Sequence, residues 1–320
     1  MILDDNVSII SVFTLSGLGE TMEYRTTLFS LTLLYYIVII MVNVALILTI
    51  ILDGNLHQPM YIFLCNLCIS GLFGTAGFYP KFLLDLLSYH HVISYAGCLF
   101  QAFVIYSSAC SDFAILSVMA YDRYVAICRP LEYHSVMTKQ RVTQLAFYPW
   151  ILTFSLFTIA VTITIQMKLC QTHIERLYCS NWSVVKLSCS LTIPDYIVGY
   201  IIILSSIGHF IFILCSYTYL VRLCLESIKD RVKFMQTCMP HLLSLFNVSL
   251  ALLFDVLNNR YGSRNLPQSL QNFMAIEFLV VPPILNPVIY GLKLTQLRNR
   301  ILRGFMNGKK LSMFQINDTG

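Results

Sequence analysis

Residues 28–52 read LFSLTLLYYIVIIMVNVALILTIIL, 25 positions without an Asp, Glu, Lys, Arg or His. The hydrocarbon core of a bilayer, about 30 Å thick, needs roughly 20 residues of α-helix to cross it. This stretch is long enough, and its single amide, Asn43, lies well inside it. Six further apolar stretches follow, at 61–80, 98–121, 143–165, 193–221, 237–257 and 272–292. In lipid only helices and closed barrels satisfy their own backbone hydrogen bonds, and the alternating strands of a barrel are not in the sequence. The expectation is an all-α membrane protein, a seven-transmembrane helix bundle over 28–292. An amino-terminal tail, 1–27, precedes it and a tail, 293–320, follows.

Composition agrees. The 320 residues are 57% hydrophobic and 12% charged, with a mean hydropathy of +0.70. Soluble domains carry about 25% charged residues to face water. The net charge of +5 is placed on loops, not on a nucleic-acid surface. With the amino terminus outside, 14 of the 21 Lys and Arg fall in the cytoplasmic segments 123–141, 222–233 and beyond 292. That bias follows the positive-inside rule, so the chain is expected in the plasma membrane with its carboxyl terminus in the cytoplasm. Residues 1–27 hold Asp4, Asp5, Glu20 and Glu23 and lack the pattern of a cleavable leader. The sequon Asn6-Val-Ser8 makes Asn6 the glycosylation candidate, ahead of Asn181 in the second outer loop. Past the last span, Leu294, Leu297, Ile301, Leu302 and Phe305 recur at helical spacing among Arg298, Arg300 and Arg303. This reads as a short amphipathic eighth helix on the inner membrane surface.

Polar residues inside the spans each need a physical reason. A carboxylate at a helix centre costs roughly 2.5–3.5 kcal/mol on insertion scales. Asp112 is halfway along the third span, with Asn43 and Asn286 at similar depth in the first and seventh. Asp122 and Arg123 end the third span, and Arg123 follows Asp112 by 11 residues, close to three turns, so the two share a face. An adjacent acid and base at a helix end can hold one conformation and release another; hydrogen bonding between neighbouring helices is the plain alternative. Pro282, Pro283 and Pro287 remove backbone donors from the seventh span and permit a kink beside the polar residues. Four cysteines, Cys98, Cys170, Cys179 and Cys189, fall on the outer side. They are enough for two disulfides, in any of three pairings. No cofactor motif and no repeated metal-ligand spacing is present.

Five motifs in order resemble those of the odorant receptor family of rhodopsin-like G protein-coupled receptors. Leu56-His57-Gln58-Pro59-Met60-Tyr61 resembles the family's signature at the first inner loop. The run from Met119 through Asp122-Arg123-Tyr124 to Tyr133 is similar to its most diagnostic stretch. Ser216-Tyr217 resembles the fifth-span motif, the run from Lys233 to His241 a variant of the sixth, and Pro282-Pro283-Ile284-Leu285-Asn286-Pro287-Val288-Ile289-Tyr290 the seventh. The double proline resembles the fish-like class of these receptors.

The resemblance implies roles. Asp122, Arg123 and Tyr124 would form a switch whose release opens a cleft for a G protein, with Tyr217, His241, Asn286, Pro287 and Tyr290 taking part. Cys98 would pair with Cys179, and Cys170 with Cys189. The partners implied are a small-molecule odorant and a heterotrimeric G protein of the stimulatory olfactory type, with membrane lipid as the surrounding solvent. In one place the chain departs from the pattern. The acid usual in the second span is replaced by Gly71, so a weak cation site would rest on Asp112 with Asn43 and Asn286.

The outward halves of the spans are expected to line a pocket, with Ile105, Tyr106 and Ala109 on the third, Ile201 and Ser205 on the fifth, Leu252 and Val256 on the sixth, and Ile276 and Leu279 on the seventh. No carboxylate stands near Ile105 to pair with an amine, and no lysine near Val280 to form a retinal Schiff base. A small, neutral or weakly polar ligand fits best, although Asp255 and Arg260 near the mouth leave room for a charged one. The rival readings are a sensor of the same fold outside olfaction and a transporter. The latter predicts paired broken helices that are not seen. No paired catalytic residues suggest an enzyme. If Asp112 is held, ionised or hydrogen-bonded, as part of the switch, Asp112→Asn will lower surface expression or agonist response, measured by surface immunolabelling and a cyclic-AMP reporter. An unchanged variant would remove that role.

Overall fold

The computed structural model describes residues 12–18, 24–190, 193–224, 239, 242–250, 252, 268–293 and 300. Its frame is a bundle of long helices: α1 (Arg25–Leu52), α2 (Pro59–Leu87), α3 (Tyr95–Cys128), α5 (Lys139–Ile165), α7 (Ile193–Cys224) and α9 (Gln268–Lys293). The short helices α4 (Tyr133–Val136) and α6 (Asn181–Val185) lie between them. A further helical run, α8, covers 242–250 within the sixth apolar stretch, whose remainder lies almost wholly outside the described residues. Five of these helices are long and apolar enough to cross a membrane, and Leu279–Gly291 of α9 is a shorter apolar segment.

The helices outrun the apolar stretches that mark them. α2 continues through Pro80 to Leu87 and carries Asp85, which is 3% exposed. Its carboxylate survives burial because Lys81, one turn back, is ion-paired to it. α3 starts with Ser94 accepting a hydrogen bond from the Gly97 N–H, and α5 starts with Thr138 accepting from the Arg141 N–H. Such caps satisfy amides that a helix start leaves open.

α3 is the axis of the bundle. In its most apolar 18-residue stretch 83% of the residues are buried, against 22% in α1. It packs on α2, α5 and α7, while α9 closes the bundle against α1 and α2. Close approach to α2 depends on small residues: a Cβ at Gly74 would run into the Ser108 hydroxyl. Ser70 and Ser108 donate to each other's backbone carbonyls at 3.1 and 2.7 Å. Small residues and hydroxyl bonds of this kind hold helices together where lipid offers no hydrophobic drive. The leucines and isoleucines of α1 and α7 that stand exposed, such as Leu31, Leu52 and Leu204, form the apolar outer faces.

The prolines of α9 are docked against α1. Pro287 has no N–H, so the carbonyl of Pro283 has no helical partner. The Asn43 amide donates to that carbonyl at 2.8 Å and to Ile39 at 2.9 Å. The Tyr35 hydroxyl reaches the Val280 carbonyl at 2.8 Å.

One end of the bundle is capped by something the all-α expectation did not contain. Strands β1 (Val12–Leu15), β2 (Val92–Ser94) and β3 (His173–Ile174) form a sheet in the order β2-β1-β3, with β1 antiparallel to β2 and parallel to β3. Residues 12–18, expected to be part of a tail, are thus folded against the bundle. The expectation failed because β1 is four residues long and its partners are far away in sequence. Disulfides join Cys98 to Cys179 and Cys170 to Cys189, with Cα separations of 5.3 and 5.0 Å. They tie the segment between α5 and α7 to the start of α3 and to itself.

Gly74→Leu will force α2 from α3. Overpacking of a close contact costs about 1–3 kcal/mol, so the expected result is a marked fall in surface expression and a lower Tm in detergent, with Gly74→Ala intermediate.

Candidate functional site

At the end of the bundle opposite the sheet, α3 terminates in a lock. Asp122 is fully buried, and Arg123 beside it is ion-paired to it, its Nε donating at 3.0 Å. The second carboxylate oxygen accepts from the Tyr133 hydroxyl at 2.8 Å. Both oxygens are therefore engaged, as a buried charge requires. Burial, and then the Asp122 charge, push the Tyr133 phenol above its ordinary range. The raised value keeps the phenol protonated, and so able to donate, until pH rises through it.

Tyr217 and Tyr290, from α7 and α9, lie in the same apolar cluster with Met119 of α3, 3% and 0% exposed. The Tyr124 ring lies 5.8 Å from that of Tyr219. Next to this end, Asp53 accepts from the Asn55 N–H at 3.1 Å and from Arg300 Nε at 2.8 Å. The Asn55 N–H is the main cause holding the Asp53 carboxyl below its usual range, with Arg300 adding to it. His241 lies outside the described residues, as does all of the expected eighth helix except Arg300.

The buried polar residues at mid-depth divide into separate contacts. Asn43 bonds Pro283, and the Ser244 hydroxyl donates to the Asn286 side-chain carbonyl. Asp112, 8% exposed, has Ser70 nearby and one oxygen without a partner among the described residues. No hydrogen bond joins Asp112 to Asn43 or Asn286 among the described residues. Nor do three His, Cys, Asp or Glu converge there as metal ligands would. A Cβ at Gly71 would lie 3.7 Å from Pro283 and 4.0 Å from the Asn43 side-chain oxygen, Oδ1. The missing second-span acid would therefore have pointed at the α1–α9 contact.

Toward the capped end a second apolar cluster gathers Ile105, Ala109 and Leu279, with Tyr106 and Leu252 packed against it. Five of the expected pocket residues thus come together. Ile201 does not join them. It is 45% exposed, on the outer face of α7. The face turned inward is marked by Ser206, 3.8 Å from the Cys110 sulfur, and by Ile213, Tyr217 and Leu220, all buried. The Ser205 carbonyl accepts from His209 within α7. Val256 and the Ile276 side chain lie outside the described residues, and so does Asn6. Sequence reasoning missed the Tyr133 contact, and that Leu18 and Tyr178 belong to the cluster of Ile105 and Leu279. Tyr133 stood in the quoted motif 11 residues after Asp122; no local signal marked the other two.

A bundle of apolar helices long enough to cross a membrane, with a buried acid in its axis and a carboxylate–guanidinium–phenol cluster at one end, marks a multi-pass integral membrane protein. A family profile described as "Olfactory receptor" matches residues 31–308. Olfactory receptor 4S2 of Homo sapiens is 31% identical over 301 residues, covering 92% of this chain and 94% of the relative. Olfactory receptor 1D5 of Pan paniscus is 34% identical over 320 residues, covering 97% and 98%. Olfactory receptor 6E1 of Mus musculus is 31% identical over 299 residues, covering 92% and 94%. The chain belongs to the olfactory receptor family, whose members are signalling receptors and not enzymes.

Tyr133→Phe deletes one hydrogen bond to the buried Asp122 carboxylate. Bonds to charged groups contribute about 1.5–3 kcal/mol, enough to move a two-state balance roughly tenfold or more. Basal signalling is expected to rise severalfold at equal surface density, measured as second-messenger output without ligand.

Proposed function

We propose that the chain is an odorant receptor of the plasma membrane. In this reading it spans seven times, with an extracellular amino terminus and a cytoplasmic carboxyl terminus bearing an amphipathic eighth helix. It takes a small, neutral or weakly polar odorant among Ile105, Tyr106, Ala109, Leu252 and Leu279. It answers by activating a stimulatory heterotrimeric G protein of the olfactory type, which raises cyclic AMP. Family membership supports odorant sensing, and the loop charges support the orientation.

The observation that carries the mechanism is the placement of both clusters on one rigid helix. Ile105 and Ala109 stand in the capped-end cluster, and Asp122, three to five turns further along α3, holds the lock. A ligand wedged between α3 and α9 pushes on the proline-bearing segment of α9, where backbone bonds are already missing. Movement there shifts Asn286 and Tyr290 against α3. When Arg123 and Tyr133 leave Asp122, the carboxylate takes a proton or water and the helices at that end part, opening a cleft for the G protein. The ligand can do this only by binding the open form more tightly than the closed one.

A cyclic-AMP reporter in cells expressing the chain, screened with a panel of volatile alcohols, aldehydes, ketones and acids, tests the reading. At least one compound is expected to give a saturable response that Arg123→Ala reduces at least tenfold at matched surface density. A response undiminished in Arg123→Ala would overturn the coupling.

A further inference from the structure

Residues 12–18 are built into the mouth of the bundle. β1 is the central strand of the cap, so the sheet exists only through it. Phe13 and Leu15 point inward, 0% and 5% exposed, onto the cluster that contains the Cys98–Cys179 disulfide. Beyond the strand, the Ser16 and Gly17 amides donate to the carbonyls of Ile174 and Arg176 at 3.1 and 3.3 Å. The Asn272 amide of α9 donates to the Gly17 carbonyl at 2.6 Å. A Cβ at Gly17 would lie 2.6 Å from the Leu177 nitrogen and 2.7 Å from the Arg176 carbonyl carbon, both backbone atoms that cannot give way. The chain passes so close here that only glycine fits.

This seating delivers Leu18, 6% exposed, into the apolar cluster that holds Ile105, Ala109 and Leu279, beside Leu177 and Tyr178. We propose that residues 12–18 are a fixed roof of the ligand chamber and that Leu18 touches the ligand and limits its length. The inference rests on the chamber reading above. A purely structural cap would need Phe13 and Leu15 against the disulfide; it would not need an aliphatic side chain carried past the sheet into the cluster facing α3 and α9. The hydrogen bond from Asn272 links the roof to the helix whose movement the mechanism uses, so ligand length and response are coupled at one point.

The test is a homologous series of straight-chain aldehydes, alcohols and acids, from four carbons upward, on wild type, Leu18→Ala and Leu18→Phe at matched surface density. One methylene more or less in an apolar pocket changes affinity roughly tenfold or more. The preferred chain is expected to lengthen in Leu18→Ala and shorten in Leu18→Phe, with potencies at the two ends of the series moving in opposite directions. A uniform loss, or an unchanged order, would overturn the contact and leave Leu18 a structural residue. A wild type silent to the whole series would sink the chamber reading, and the ligand contact with it. The seating of the roof is read separately by labelling Leu18→Cys on intact cells with a membrane-impermeant maleimide, using wild type as blank. Labelling is expected to be slow and to rise severalfold when Gly17→Val is added. Labelling as fast as at a fully exposed cysteine, with no rise, would show that the roof is not seated.

Discussion

Hydrocarbon offers no hydrogen bonds, and most of what distinguishes this molecule follows from that constraint. Each polar group within the helices has to find its partner inside the protein. The clearest instance is the carbonyl of Pro283, stranded because Pro287 carries no N–H, and satisfied by the Asn43 amide from α1. That bond turns a weak point of α9 into a docking point. It also explains why an amide lies amid the otherwise apolar residues of the first span. The mutual Ser70–Ser108 bonds and the Ser244–Asn286 bond obey the same rule between other helix pairs.

Where a charge is buried, the rule is stricter. Asp122 is buried and its two oxygens take up Arg123 and Tyr133. Removing either partner would leave a buried carboxylate short of a hydrogen bond, which costs far more than the same loss at an exposed site. Asp112 is a different case: it is buried on the same helix with one oxygen unpartnered among the described residues.

Much of this was legible from residue order. Membrane-length apolar runs have one solution in lipid, so the helices could be placed before any contact was known. Asp112 and Asp122-Arg123 announced themselves because charge in a span demands a reason. Less visible was the rotation of α7, on which Ile201 stands exposed while Ile213, Tyr217 and Leu220 are buried. The strand at Val12–Leu15 alternates outward and inward residues, but four residues are too short a pattern to stand above chance.

By itself, the amino-acid sequence determined that this chain lives in a membrane as helices and which positions within them are costly, because burial and hydrogen-bond costs act locally along the chain. Only the tertiary structure decided that Tyr133 completes the Asp122 lock, that Asn43 serves Pro283, and that Leu18 reaches the cluster of Ile105 and Leu279. These contacts join residues 11, 240 and up to 261 positions apart. The geometry that joins them comes from helix packing and from a sheet whose strands are distant in sequence, and no local pattern encodes it.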